Sequence, residues 1–470
     1  MVERGERIHV IGIAGSGAAG AALLLHQAGA IVDGCDLEAP SPYTPPLDAA
    51  GIGYAVGHDP AHLDGIQRVA ISPALRSVPD HAELAEAEMR GLPVVSWQAL
   101  LGELQAAPGR VGLGVTGTHG KSTTTALLGH LLIAAGFDPT VEVGAFVGAW
   151  GASVRPGDGA PFLVEADEFG DNFLNYHPAG AIITNVEMDH PDYFADTAAV
   201  MNSFEHFVRG MGSDAALGGR LLVIAANDRG ATELVGRLHG WEGHILRYGP
   251  GGEATASAVL RNRGGTAFTL FEHRFEMTLA GAHNVLNATA ALIMARTLGA
   301  DLDALADGLR TFAGAGRRME LIADTATVTI YDDYGHHPTE VRAALSAARQ
   351  MVGSDRRLWA VFEPHMYSRT ALLMDAFATA FSDANEVVIA DIFASRDTPA
   401  AMVSTSAEAL ADAIERNSAV PAIATGDVEA TTDYVADHVG TGDAVLVMGA
   451  GKSYRIAQGL RDRLAQDPRP

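Results

Sequence analysis

Short β-branched runs alternate with Ala/Leu-rich stretches along the whole chain, and that alternation leaves few folds open. Runs at Ile8–Ile13, Val111–Val115, Ala181–Asn185, Leu221–Ala225, Val387–Ala390 and Ala444–Met448 read as strands. Stretches at Ala18–Ala28, Thr123–Ala135, Ala288–Leu298, Thr339–Met351 and Thr370–Ala380 read as helices. Strand–helix–strand order puts helices on the faces of parallel sheets, so the expected class is α/β. The 470 residues suffice for about three domains at roughly 150 residues each. Gln105–Arg110 carries Ala-Ala-Pro-Gly and Phe312–Arg318 carries Ala-Gly-Ala-Gly, so both read as linkers. The predicted domains are therefore 1–108, 109–314 and 315–470.

Charge narrows the partners. Lys and Arg number 32 against 57 Asp and Glu, a net charge of −25. Such a polyanion has no global field to attract nucleic acid or an acidic membrane, so neither is an expected partner. Any phosphate must be held locally, by backbone N–H groups, a few cations or metal ions. A single cysteine, Cys35, excludes an internal disulfide and a zinc cage built from cysteines. No run of 18 apolar residues occurs, and Met1–Arg7 leads into no signal-peptide core. A cytoplasmic protein is expected, monomeric or homodimeric.

The strongest chemical signal is Thr116-Gly117-Thr118-His119-Gly120-Lys121-Ser122-Thr123, between a predicted strand and a predicted helix. A Gly-rich turn at a helix N-terminus gathers N–H groups around polyphosphate. The Lys can reach the β- and γ-phosphates, and the Ser hydroxyl can ligate Mg²⁺. The glycines stand three apart rather than five, so the loop is a compact variant. A second stretch, Gly449-Ala450-Gly451-Lys452-Ser453, reads more simply as a strand–helix turn.

Two acidic clusters follow neighbouring strands. Glu165-Ala166-Asp167-Glu168 ends the run Pro161–Val164, and Asn185-Val186-Glu187-Met188-Asp189-His190 follows Ala181–Thr184. Carboxylates past the C-terminal ends of parallel strands point into the ligand crevice. Glu165 suits Mg²⁺, whereas His190 suits Mn²⁺ as well.

Near the N-terminus, Gly15-Ser16-Gly17-Ala18-Ala19-Gly20 opens a helix after the first strand, with Asp36 16 residues beyond Gly20. This is a dinucleotide fingerprint, and a nucleotide-sugar diphosphate satisfies the same geometry. In the last third, Asp332-Asp333-Tyr334-Gly335-His336-His337-Pro338 and Glu363-Pro364-His365-Met366-Tyr367-Ser368-Arg369 sit at strand-to-helix turns. The histidines suit proton transfer and the Arg369 fork suits a carboxylate. Gly281-Ala282-His283-Asn284-Val285-Leu286-Asn287 precedes a predicted helix, where its amides could cap that helix or read a base edge.

Taken in order, these motifs resemble the Mur ligases, the ATP-dependent amide-forming enzymes of peptidoglycan assembly. The resemblance runs over nearly the whole chain and includes Ser72-Pro73-Ala74 and Thr184-Asn185 as well. It implies an N-terminal Rossmann-like domain for a UDP-sugar, a central P-loop ATPase-like domain and a C-terminal Rossmann-like domain. By the same resemblance, Gly117, Thr118, His119, Gly120, Lys121, Ser122 and Thr123 would hold ATP. Asn287 would contact adenine, and Arg318 and Asp333 would complete the nucleotide site. Ser122 and Glu165 would ligate a first Mg²⁺, with Mn²⁺ as an alternative, and His190 a second. Gly15, Gly17, Gly20, Asp36 and Ser72 would hold the UDP group. Tyr334, His336 and Arg369 would receive the amino acid, with His336 as the base. The implied reaction joins L-alanine to the lactyl carboxylate of UDP-N-acetylmuramate through an acyl phosphate. Met366 and Lys452 depart from the family pattern, the first where an Arg is frequent. Two other readings stay open: a ligase joining a murein tripeptide to the same sugar, and, on the glycine fingerprint alone, an NAD-dependent oxidoreductase.

Overall fold

The computed structural model describes residues 1–466 except 38, 42, 73, 74, 76–79 and 326. Pro73 and Ala74 of the Ser72-Pro73-Ala74 motif thus lie outside the described residues. The described residues form two compact units: those within Met1–Glu187, Val200–Thr255 and Asn287–Leu309 make the first, and those within Met188–Ala199 and Ala256–Leu286 and from Arg310 onward the second.

The first unit holds two sheets. One is five-stranded and parallel, in the order Tyr54–Val56, Ile31–Asp36, Arg7–Ile11, Arg68–Ile71, Val94–Ser96. Side chains alternate between its faces, so Ile8 and Val10 pack with Ala18, Ala19 and Ala22 of the helix Ser16–Gln27. Ile11, Val69 and Ile71 pack on the opposite face with Leu63 and Ala87. The other sheet is seven-stranded, in the order His244–Tyr248, Leu221–Ala225, Gly180–Ile183, Val111–Thr116, Pro161–Glu165, Thr140–Val147, Ala152–Arg155. Only its last strand is antiparallel. Its central strand Val111–Thr116 is buried at every position, as expected of a strand covered on both faces.

The second unit holds a three-stranded antiparallel sheet, Ser257–Asn262, Gly265–Leu270 and His273–Met277, and a six-stranded sheet. The latter runs Glu320–Asp324, Val328–Asp333, Asp443–Met448, Leu358–Phe362, Glu386–Ala390, Ala422–Gly426, with only the first strand antiparallel. Ala360 and Phe362 face one apolar cluster, and Trp359 and Val361 face the other. In each of the three large sheets the strand order reverses beside a central strand. The loops leaving the C-terminal ends of the strands at that point form the crevice where ligands of such sheets bind.

The predicted strands and helices are present, with two corrections. The helix expected over Ala288–Leu298 begins at Ala282 and ends at Thr297. The segment from Ala282 to Asn287 is therefore helical rather than a loop before the helix. The helix expected over Thr370–Ala380 is two short ones, Tyr367–Leu372 and Met374–Ala378, broken where Leu373 leaves helical geometry at φ −104° and ψ 16°. Among the described residues, no helix is long and apolar enough to cross a membrane.

Candidate active site

The phosphate loop leaves Thr116, at the centre of the seven-stranded sheet, and enters the helix Lys121–Ala134. Two glycines make the turn. Gly117 has φ +130°, and a Cβ there would lie 2.1 Å from Thr184 Oγ1. Gly120 has φ +83°, and a Cβ there would approach Asn287 Oδ1 at 2.9 Å. Both positions need glycine for backbone conformation and for space. No side chain caps the helix at Gly120.

The neighbouring strand ends hold the loop in shape. Asn185 accepts from the His119 N–H through Oδ1 at 2.9 Å and donates to the His119 carbonyl through Nδ2 at 3.0 Å. Thr184 donates to the same carbonyl at 2.6 Å, and the Glu187 N–H donates to Thr118 Oγ1 at 2.8 Å. Lys121 Nζ folds back to donate to the Gly117 carbonyl at 2.8 Å and to Glu168 Oε2 at 2.7 Å. Burial opposes the Lys121 charge, but the Glu168 and Asp167 carboxylates outweigh it and hold the ammonium above its ordinary pKa. Ser122 Oγ donates to Glu165 Oε1 at 2.9 Å, and Gly144 N–H donates to Glu165 Oε2 at 2.6 Å.

At the five-stranded sheet, the glycine fingerprint and Ser72 follow the adjacent strands Arg7–Ile11 and Arg68–Ile71. Asp36 Oδ2 accepts from the Ala14 N–H at 3.0 Å, so it braces the Gly-rich turn. A Cβ on Gly17 would strike Trp97 at 2.4 Å, and one on Gly20 would strike Val154 at 2.5 Å. Gly15 meets only the Gly12 carbonyl, at 3.5 Å. Two of the three glycines thus serve close packing, and the turn at Gly15 is the part open to a ligand.

In the second unit, three loops at the reversal point of the six-stranded sheet are tied together. Gly449 N–H donates to the Asp333 carbonyl at 3.1 Å, and Ser453 N–H to Glu363 Oε2 at 2.8 Å. The Gly449–Ser453 stretch is thus a structural turn, and Lys452 lies over the Phe393 ring. Asp333 accepts from the Gly335 and Met319 N–H groups at 2.7 and 2.8 Å, and burial raises its pKa to about 6. Arg318 lies over the Tyr334 ring, 5.1 Å from its centroid.

Arg369 is 1% exposed. Its Nε donates to Asp189 Oδ1 at 2.8 Å, and Nη1 and Nη2 face His365 Nδ1 at 3.1 Å and His190 Nδ1 at 3.5 Å. Burial would raise Asp189, but Arg369, His190, His336 and His337 hold it well below the usual carboxylate range. Burial lowers His336 to about 4 and His365 to about 3, so both imidazoles are neutral at pH 7. His336 Nδ1 lies 3.1 Å from the Tyr334 carbonyl. A carbonyl only accepts, so that contact puts the ring proton on Nδ1 and leaves Nε2 basic. Two backbone positions here are held at positive φ, His190 at +53° and Met366 at +72°. Such strain in non-glycine residues collects at ligand sites.

Family models match three stretches of the chain. They are described as Mur ligase family, catalytic domain, over residues 7–107; Mur ligase middle domain, over 162–295; and Mur ligase, glutamate ligase domain, over 317–451. The chain is 38% identical over 462 residues to a UDP-N-acetylmuramate–L-alanine ligase of Mycolicibacterium vanbaalenii, covering 95% of this chain and 94% of that one.

The chain belongs to the Mur ligase family.

Among solved structures, a UDP-N-acetylmuramate–alanine ligase of Thermotoga maritima shares this fold with a TM-score of 0.80 at 24% identity, over 98% of this chain and 99% of that one. A murein peptide ligase of Psychrobacter arcticus gives 0.68 at 25% identity, over 98% and 99%. The three Mur ligase domains confirm the α/β class. The oxidoreductase alternative, which rested on the glycine fingerprint, finds no support, since all three matched stretches are Mur ligase domains.

Within the first unit the structure gathers Gly117 to Thr123, Glu165 and Asn287 at one crevice, and Gly15 to Gly20, Asp36 and Ser72 at the other. In the second unit it gathers His190, Tyr334, His336 and Arg369 with Arg318 and Asp333 nearby. Asn287 sets its side chain against Gly120. Sequence reasoning passed over Glu168 as the partner of Lys121 and Asp189 as the partner of Arg369. Each stands in a motif that was read for a neighbour, Glu165 or His190, and no spacing rule separates adjacent carboxylates.

Proposed function

We propose that the chain catalyses ATP-dependent ligation of L-alanine to the lactyl carboxylate of UDP-N-acetylmuramate. The observation that carries this reading is the similarity, over nearly the full length of both chains, to a ligase named for that reaction. On this reading the chain works as three domains, bounded near 1–108, 109–314 and 315–470, in the cytoplasm where its nucleotide substrates are made.

In the first step the lactyl carboxylate attacks the γ-phosphate of ATP, giving an acyl phosphate and ADP. In the second, the free amine of L-alanine attacks the acyl carbon and phosphate leaves. Lys121 would exchange the Gly117 carbonyl and Glu168 for phosphate oxygens, and the loop N–H groups would line the β-phosphate. Asn287 and Arg318 would hold the nucleotide, with Asp333 keeping the turn before His336. The turn at Gly15, braced by Asp36, would receive the UDP diphosphate, with Ser72 beside it. His336, neutral with a basic Nε2, would take the proton that the alanine ammonium must lose.

The donor set beside the loop suits a hard divalent cation. Glu142 is 2% exposed, and its Oε2 has no hydrogen-bond partner among the described residues. Burial and the nearby Glu165 raise it well above the usual range. Crowded oxygens of this kind invite Mg²⁺, or Mn²⁺, held by Ser122 and Glu165, with His190 for a second ion. Bound there, the ion supplies charge neutralisation at the phosphate oxygens.

Phosphate release from ATP, measured with Mg²⁺ and UDP-N-acetylmuramate, tests the reading. Stimulation by L-alanine, lost in Lys121→Ala, is expected. Stimulation by a murein tripeptide in place of L-alanine would move the acceptor, and silence with every acceptor would overturn the ligase reading.

A further inference from the structure

A second constellation lies on the five-stranded sheet, on the face opposite the helix that follows the glycine fingerprint. The apolar part of that face is built from Ile11, Leu63, Ile66, Val69, Ile71 and Ala87, and His58 also reaches it, with Nδ1 3.2 Å from both Cys35 Sγ and Glu83 Oε2. Into it project His9 and Cys35 from adjacent strands, His62 from the short turn Pro60–Leu63, and Glu83 from the helix Ala82–Met89. His9 is 2% exposed, and Cys35 and Glu83 are fully buried. One ligand atom from each of the four lies within 4.8 Å of all the others. Cys35 Sγ is 3.3 Å from His9 Nε2 and 3.1 Å from Glu83 Oε2, and His9 Nε2 is 3.7 Å from Glu83 Oε1. His62 Nδ1 is 2.7 Å from Glu83 Oε1.

The edges of a tetrahedron around zinc with nitrogen, sulfur and oxygen ligands are roughly 3.3–3.7 Å, so little movement would admit an ion. Two observations favour a cation over a closed polar network. First, His9 turns its other nitrogen, Nδ1, to Asp33 Oδ1 at 2.7 Å, the carboxylate–imidazole arrangement that orients a metal-bound histidine. Second, His81 is only 9% exposed, yet neither ring nitrogen has a hydrogen-bond partner among the described residues. Its ligand atom lies within 4.8 Å of those of His58 and Glu83, so unused donor capacity is aimed at the cluster. Glu83 is already the shared acceptor of Cys35, His62 and the Asp59 N–H. A network satisfied by hydrogen bonds alone would leave no buried imidazole idle.

We propose that Cys35, His9, His62 and Glu83 form a binding site for a borderline-soft divalent cation, zinc above all, in the first domain and apart from the phosphate loop. One thiolate, two imidazoles and a carboxylate match zinc rather than Mg²⁺, which takes oxygen ligands. Binding replaces the Cys35 S–H bond with a metal–sulfur bond, and the proton leaves to solvent. The ion joins two strands, a turn and a helix, and so stabilises that sheet. At free metal a hundredfold above Kd, the folded-to-unfolded ratio rises about a hundredfold.

Cobalt(II) titration of the full-length, chelator-stripped protein tests this. Cys35 is the chain's only cysteine, so a thiolate-to-cobalt charge-transfer band reports this site alone. The donors at the phosphate loop include no sulfur and give no such band. One equivalent of cobalt with that band, displaced by zinc and accompanied by release of a proton, is expected. Asp33→Asn should keep the band and weaken affinity about 10- to 100-fold. Cys35→Ser should abolish the band while the far-ultraviolet circular dichroism stays unchanged. If Cys35→Ser does not fold, the wild-type spectrum decides alone. Absence of the band from folded wild-type protein at saturating cobalt would overturn the site, as would the band persisting in folded Cys35→Ser.

Discussion

At the scale of single residues, the phosphate loop is governed by Lys121 and Gly117. Lys121 is the counter-charge of Glu168, which is 2% exposed, so the two depend on each other before any ATP arrives. Lys121→Met should reduce phosphate release at least about 100-fold, the usual cost of removing one preorganised donor to a developing charge. It should also destabilise the fold by about 3–5 kcal/mol, because it removes the ammonium that offsets a buried carboxylate. Adding Glu168→Gln to Lys121→Met should restore much of the stability and none of the activity. Paired steady-state kinetics and denaturant unfolding check both halves. Gly117→Ala tests the other residue. Its φ of +130° and the 2.1 Å approach to Thr184 Oγ1 predict a loss of about 1–3 kcal/mol in unfolding measurements. Thr184→Ala in the same chain should recover the part due to contact and leave the part due to backbone conformation.

At the scale of elements, the loops at the strand ends are held by groups one step removed from the ligand. Asp228 caps the helix Arg229–Arg237 by accepting from Ala231 N–H at 2.7 Å, and the same oxygen accepts from Val186 N–H at 3.0 Å. Val186 stands between Asn185 and Glu187, which both hold the phosphate loop. Asp228→Ala should therefore cost about 1–2 kcal/mol as a lost cap and raise KM for ATP more than it lowers kcat. A change in kcat alone would detach the cap from the loop. This division between neighbouring residues also marks where the sequence stops being readable. The strand Leu221–Ala225 was legible to the residue, because buried parallel strands are continuous apolar runs between turn residues. The start of the helix at Ala282 was not, because His283, Asn284 and Asn287 look like a loop until their burial against other elements is known. The phosphate loop was legible because its residues are contiguous. The cluster of His9, Cys35, His62 and Glu83 was not, because its members are scattered between positions 9 and 83 and no local spacing joins them.

At the scale of the whole molecule, the second unit stores several histidines in neutral form, and this sets how the protein responds to acid. His336 and His283 are held by burial to about 4, and His365 to about 3, against a usual value of 6.5. Between about pH 6.5 and about pH 4 the unfolded chain therefore binds protons that the folded chain refuses, and stability falls as pH falls. Each of the three contributes up to about 3 kcal/mol across that window, at 1.36 kcal/mol for each tenfold change in proton affinity. Asp333 works in the opposite sense. Burial raises it to about 6, so its contribution is present at low pH and is lost as pH rises through about 6. Burial raises Asp332, Glu363 and Asp391 of the same unit as well, and Glu142, Glu168 and Asp228 of the first, so the histidine contribution is isolated by comparing wild type with a variant that lacks one of the imidazoles. Asp189, held low chiefly by Arg369, adds a further loss only below the ordinary carboxylate range. The contribution of these three imidazoles should thus fall steadily from about pH 6.5 downward. His336→Gln, which removes one of the three neutral imidazoles, should lower the slope of stability against pH by up to about 1.4 kcal/mol per pH unit within that window. Calorimetric scans between about pH 7 and about pH 4.5, on wild type and variant, measure that slope. An identical slope in the two proteins, or histidine ring resonances titrating near 6.5, would show that these imidazoles are free to charge in the folded state.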